Sequence, residues 1–349
     1  MTTPRPGLRD VGFYDSPQLD VAARLATNEC PYPLPEAFSM DLAETVASLR
    51  LHRYPDDQMV RLREEFATHV GHVPEGIWVA NGSNEILTQL LQAYGGAGRR
   101  VAVFEPTYLL HSRLAWLTQT ELVSLRLDED FLLSPDSVQS AVAAAADVVF
   151  VCSPNNPTGN AQPVDAVRSL AVRTDALVII DEAYVEFGGQ TCLPLIAEHH
   201  NVVVTRTMSK AFALAGARVG YVLADPEVID DLRRVRLPYN VSSLTQAAGI
   251  AALHHATEAS AILDAIRDER DRILAALRAM PGIVVYPSDA NFVLFVPPKP
   301  AAEVWRGLLD RGVLIRDLSA VVPNALRVTA GTTYEVDLFV SALEEVLAT

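Results

Sequence analysis

The chain has 349 residues, half of them apolar and a fifth charged, with a mean hydropathy of +0.17. These proportions fill a large core and exclude disorder, collagen-like repeats and coiled coil, and at roughly 150 residues per domain they suggest about two domains. Its 28 Lys and Arg against 43 Asp and Glu leave a net charge of −15, which excludes a basic footprint for nucleic acid or an anionic membrane and obliges any anionic ligand to be met by a few locally placed cations.

Residues 1–37 are rich in proline with little periodicity and read as an extended arm. Helical spacing of apolar residues follows over 37–51 and 59–70. From there strands and helices alternate: a strand at 77–80, a helix at 84–93, a strand at 100–104 and a helix at 109–117. Strands at 147–152, 177–180 and 202–205 are continuous apolar runs rather than alternating ones, the pattern of a mainly parallel sheet covered by helices on both faces. Helices are expected at 226–237, 244–255 and 257–280. The pattern then changes to short strands at 283–286, 292–296, 313–316 and 325–329, separated by helices at 301–311 and 336–347. The expected division is an arm at 1–37 that partly joins the small domain, a large α/β domain at 38–243 and a small α+β domain at 244–349.

Three scattered cysteines outside any CxxC pattern read as reduced cytosolic thiols. The opening residues lead into no apolar run of a signal peptide, and the most apolar stretches are far short of the ~20 residues that cross a bilayer. A cytoplasmic protein is expected. No zinc or calcium spacing occurs, and the pairs His199-His200 and His254-His255 are neighbours that point about 100° apart on a helix, so no metal site is expected.

In open α/β sheets ligands sit beyond the carboxyl ends of the strands. There the sequence places Ser153-Pro154-Asn155-Asn156-Pro157-Thr158-Gly159, then Asp181-Glu182-Ala183-Tyr184, then Thr207-Met208-Ser209-Lys210 with Arg218 shortly after. Asn81-Gly82-Ser83-Asn84 opens a helix whose free N–H groups and dipole favour an anion. Singly these are ordinary turn and cap residues. Together they put an acid, a phenol, amides, an amine and an anion cradle at one edge of one sheet.

Over nearly its whole length the chain resembles the fold-type-I pyridoxal-phosphate aminotransferases, and within them the branch that acts on histidinol phosphate. Residues 207–216 match that class's lysine-attachment signature, Asp181 precedes Lys210 at the family spacing, and residues 153–159 match its asparagine turn. The resemblance implies pyridoxal 5'-phosphate as cofactor. Lys210 would form the Schiff base with the cofactor aldehyde and shuttle the proton between Cα and C4′, which requires a pKa lowered by a desolvated, cationic setting. Asp181 would keep the pyridine nitrogen protonated and so maintain the electron sink. Tyr184 and Asn155 would hydrogen-bond the phenolic oxygen and Tyr108 would stack on the ring. The phosphate would be held by Thr207, Ser209, Arg218 and the backbone N–H groups of Ser83 and Asn84.

By the same resemblance Tyr54, before Pro55, would reach the cofactor phosphate of a neighbouring subunit, making a homodimer with shared sites. Arg327 and Arg316 would hold the substrate anion, Tyr14 would contact a substrate phosphate, and Asn28 and Glu29 would face the substrate. Cys30 departs from the commoner asparagine there. The implied reaction moves an amino group between L-histidinol phosphate and 2-oxoglutarate, yielding imidazole acetol phosphate and glutamate in histidine biosynthesis. An aromatic amino-acid aminotransferase is the nearest alternative, and a phosphoamino-acid decarboxylase is the alternative of another class.

Overall fold

Four runs dominated by Val, Ile and Leu, Val148–Cys152, Leu177–Asp181, Val202–Thr207 and Val219–Leu223, are buried along their whole length and lie side by side. They form the centre of a seven-stranded sheet in a computed structural model that describes residues 2–3, 7–10, 12 and 19–348. Across the sheet the order is Ile77–Asn81, Val219–Leu223, Val202–Thr207, Leu177–Asp181, Val148–Cys152, Arg100–Glu105 and Glu121–Arg126. Val219–Leu223 runs antiparallel to both neighbours and the other pairs are parallel. Helices cover the sheet, as continuous apolar strands demand.

Two of these strands lie outside the expected elements. Glu121–Arg126 is an edge strand with no fully buried residue, whose Leu122, Val123 and Leu125 are interrupted by Ser124 and flanked by charges, so it lacks the apolar run of its neighbours. Val219–Leu223 contains Gly220, which weakens a strand signal. That glycine is required, because a Cβ there would lie 2.1 Å from the backbone nitrogen of Ser83. Helices Pro135–Ala144 and Val164–Arg173 were likewise not anticipated, although the first carries a readable start, with Ser134 Oγ accepting from the backbone N–H of Ser137 ahead of Pro135 at the helix entry.

A second, antiparallel sheet takes the order Arg316–Asp317, Leu326–Thr329, Phe292–Val296, Val284–Val285. The single strand expected at 313–316 is in fact split. Val313–Leu314 pairs in parallel with Ala23–Arg24 of the N-terminal arm, while Arg316–Asp317 joins the antiparallel sheet, with Ile315 buried between them. The arm is thereby tied down. Leu25 donates from its N–H to Leu314 O at 2.8 Å and accepts from the Thr329 N–H at 2.9 Å. Helix Ser243–His254, expected in the smaller unit, packs against helices Glu36–Ser48 and Val60–Val70.

Candidate active site

The strand Leu177–Asp181 ends on a carboxylate that is buried with its side chain turned towards His111. Asp181 Oδ2 lies 3.1 Å from His111 Nε2, and Thr205 Oγ1, on the adjacent strand, donates to Oδ1 at 3.5 Å. His111 sits on helix Leu109–Thr118, fully buried, with its ring stacked on Phe150 at 4.5 Å between centroids. Sequence reasoning missed this histidine, since nothing in its neighbourhood marks it and its partner lies 70 residues away. Tyr108, one turn earlier, meets the edge of His111 at 5.6 Å and donates its hydroxyl hydrogen to Asn84 Oδ1 at 3.4 Å, so the expected ring-stacking residue spans from the acid's partner to the helix start.

Tyr184 is buried, and burial pushes its phenol up to about 12 against the opposing pull of Arg327 and of the Asn28 amide. Asn28 Nδ2 donates to its hydroxyl oxygen at 3.0 Å. Asn28 is thus engaged with the phenol and with Thr329. The Asn155 amide is held within its own turn and the Glu105–Thr107 corner: Nδ2 donates to Pro106 O and Thr158 Oγ1, both at 2.8 Å, and Oδ1 accepts from Thr107 Oγ1 at 3.1 Å.

Lys210 follows the strand Val202–Thr207, and its Nζ donates to Thr27 O at 3.0 Å. Burial, helped by the cations of Arg327 and Arg218 and opposed by Glu29, lowers the amine from its ordinary 10.5 to about 8. The desolvated, cationic setting expected from its chemistry is therefore present. Beside it, Thr207 Oγ1 donates to Ser209 Oγ at 2.9 Å and Arg218 Nη1 donates to the same oxygen at 3.3 Å. Arg218 reaches across to the start of helix Ser83–Tyr94, where no side chain caps the helix and a Cβ on Gly82 would lie 2.5 Å from Arg218 Nη2. Only glycine leaves room for that approach. The hydroxyls of Thr207 and Ser209, one guanidinium and the helix's first N–H groups therefore come from three separate stretches of chain to one place.

Arg327 donates through Nη1 to Asn156 Oδ1 at 2.6 Å and through Nη2 to Ala26 O at 2.9 Å, with its guanidinium 5.0 Å from the Phe292 ring centroid. Arg316 is its cross-strand partner. Glu29 is paired with Arg24 at 2.9 Å, both partly exposed. Tyr54 is 79% exposed and stacks on Tyr239 at 4.4 Å. Tyr14 falls outside the described residues. Among the described residues no group of three or more His, Cys, Asp or Glu is placed to hold a metal.

The profile of the family "Aminotransferase class I and II" matches residues 22–343. The chain belongs to the class I and II aminotransferases. Histidinol-phosphate aminotransferase from Frankia casuarinae is 47% identical to it, over 98% of this chain and 90% of its own length, and the enzyme of that name from Streptomyces avermitilis is 47% identical over 98% and 95%. The crystal structure of histidinol-phosphate aminotransferase from Sinorhizobium meliloti in complex with pyridoxal-5'-phosphate superposes with a TM-score of 0.85 at 26% identity, covering 94% of this chain and 91% of that one. This aminotransferase has a donor set that fits such a cofactor: an uncapped helix start with a guanidinium and two hydroxyls for a dianion, an amine with a lowered pKa, and a buried acid facing away from solvent.

Proposed function

We infer that this aminotransferase moves an amino group between L-histidinol phosphate and 2-oxoglutarate, yielding imidazole acetol phosphate and glutamate, with pyridoxal 5'-phosphate as cofactor. The relatives quoted above share that activity in name over nearly the full chain. The structural observation that carries the reading is a desolvated, low-pKa Lys210 just beyond the sheet strand next to the one that ends on the buried Asp181, with Arg327 close enough to act on both the Lys210 amine and the buried Tyr184 phenol.

When bound, the cofactor supplies an aldehyde to take up the substrate amine and a ring to receive the electrons of the Cα–H bond. Lys210 Nζ, with its pKa near 8, is an effective base close to neutrality and would move the proton between the substrate Cα and the cofactor. Asp181, positioned by His111 and Thr205, would hold a proton on the ring nitrogen. Tyr184 would donate to the phenolic oxygen, and Thr207, Ser209, Arg218 and the N–H groups of Ser83 and Asn84 would hold the phosphate. Arg327 and Arg316 hold the substrate anion.

The working assembly is a homodimer in the cytoplasm. Tyr54 is support for the first statement: a tyrosine 79% exposed, stacked on Tyr239 and close in sequence to the exposed Leu51, is a strong candidate to complete a partner's phosphate site. For the second, Cys30, Cys152 and Cys192 are all unpaired, and among the described residues no helix is long and apolar enough to cross a membrane. The separate seven-stranded and four-stranded sheets support a division into a cofactor-binding unit and a smaller unit.

Growth of a histidine auxotroph lacking its own aminotransferase tests the activity, together with kcat/KM of the purified protein. Histidinol phosphate with 2-oxoglutarate should yield glutamate, and glutamate alone should change the absorption of the bound cofactor. Higher kcat/KM for phenylalanine than for histidinol phosphate would overturn the substrate, and carbon dioxide release without amino transfer would overturn the reaction class.

A further inference from the structure

Three buried polar groups form a chain with a defined direction. The backbone N–H of Asn28 donates to Thr329 Oγ1 at 3.1 Å, and Thr329 Oγ1 in turn donates to Asn28 Oδ1 at 3.0 Å. A backbone N–H can only donate, so the threonine oxygen accepts there and its hydrogen is left for the amide oxygen. With Oδ1 so engaged, Nδ2 is the end of the amide that faces Tyr184, at 3.0 Å from its hydroxyl oxygen. An amide nitrogen also only donates. The phenol therefore accepts from Asn28, and its own hydrogen is directed elsewhere. All three side chains are buried, so water does not randomise the order. Asn28 itself is held at φ 55°, a left-handed conformation that asparagine tolerates, and its carbonyl accepts from Asn291 Nδ2 at 3.2 Å.

We propose that Thr329 is a positioning residue for the reaction: acting through Asn28, it fixes the amide orientation that makes Tyr184 an acceptor on one side and leaves its hydroxyl hydrogen for the cofactor's phenolic oxygen. The opposite amide orientation would present Oδ1 to Tyr184 and consume that hydrogen. Thr329 stands two residues after Arg327 on the strand Leu326–Thr329, so the strand that carries the anion-binding guanidinium also sets the phenol. The proposal rests on the reading that Tyr184 touches the cofactor.

The test is the pH midpoint of the absorption change of the bound cofactor. A hydrogen bond from Tyr184 stabilises the phenolate and keeps that midpoint low, so Tyr184→Phe and Thr329→Val should each raise it, by about 0.5 to 1 pH unit. The double variant should move it no further than Tyr184→Phe alone. Thr329→Ser, which restores the hydroxyl, should return it to the original value, an outcome that a purely structural role for the threonine would not give. If Thr329→Val proves unable to fold, Thr329→Ala removes the same hydroxyl without placing a new methyl. A shift in Tyr184→Phe with none in Thr329→Val or Thr329→Ala overturns the relay and leaves the Tyr184 reading standing. No shift in Tyr184→Phe overturns the cofactor contact, and the relay with it.

Discussion

Arg316 and Arg327 stand directly opposite one another on neighbouring antiparallel strands, so two guanidinium-bearing side chains share one face of the smaller sheet. Like charges so placed repel. The arrangement persists because Arg327, only 7% exposed, is anchored by Asn156 Oδ1, by Ala26 O and over the Phe292 ring. An anion held between the two would relieve the repulsion, and in a chain of net charge −15 this is how an anionic substrate can be recognised despite the overall field.

Removing Arg316 should therefore be felt by the substrate and not by the cofactor. A charge-assisted hydrogen bond contributes roughly 1.5–3 kcal/mol, about 10- to 150-fold in affinity. Arg316→Ala should lower kcat/KM for histidinol phosphate by at least about tenfold with the cofactor spectrum intact, and should affect phenylalanine less. Equal losses on both substrates would mark a general anion clamp without preference for phosphate.

Lys210 and Lys299 are the two lysines of the chain. Borohydride reduction of the loaded enzyme followed by peptide mapping should place the cofactor on Lys210. A label on Lys299, whose amine donates to Val346 O on the last helix, would refute the site.

The lowered pKa of Lys210 has a sign that can be read kinetically. Only the neutral amine attacks an aldehyde, so the rate at which the apoprotein takes up pyridoxal phosphate should rise with pH through a midpoint near 8 and level off above it. Because Arg327 is one of the cations that disfavour the protonated amine, Arg327→Gln should move that midpoint upwards. A midpoint near the ordinary 10.5 in the unmodified protein would show that the amine is not desolvated.

His111→Phe keeps an aromatic ring against Phe150 but removes the nitrogen that faces Asp181. A buried carboxylate deprived of a partner costs about 1–3 kcal/mol. Urea unfolding of the apoprotein should show a loss of that size, and the cofactor should dissociate more readily. Unchanged stability would mean that the His111–Asp181 contact carries no net energy.

Mixing inactive Lys210→Ala and Tyr54→Phe proteins should restore activity if Tyr54 completes a partner's site, since a mixed dimer then holds one site free of both changes. The measurement requires that Tyr54→Phe alone lose much of its activity. A nearly native single variant, or no recovery after verified subunit exchange, would remove Tyr54 from the site.

Much of the site was legible because its chemistry is local in the chain. Asp181 and Tyr184, Thr207, Ser209 and Lys210, and the Gly82–Asn84 helix start each sit in a short run directly after a buried apolar strand, where alternation of strand and helix already says the ligand lies. Those runs also marked the sheet itself, since strands buried on both faces need no long-range information to be recognised. The edge strand Glu121–Arg126 and the glycine-interrupted Val219–Leu223 escaped because their sequence pattern is weakened by solvent in the first and by a close backbone approach in the second.

What only the tertiary structure decided are the relationships between distant segments. His111 acquires its role from burial beside Asp181, Asn28 from an arm held by Leu314 and Thr329, and Arg316 from a strand that breaks at Ile315 so that its two halves pair in different sheets. Each depends on packing and on hydrogen bonds that close over long stretches of chain, where no periodicity or motif records the partner. Sequence by itself determined which chemical groups this protein possesses and at which edge of the sheet they emerge. The fold decided which of them meet, because desolvation and hydrogen-bond direction exist only once those groups are brought together and water is excluded.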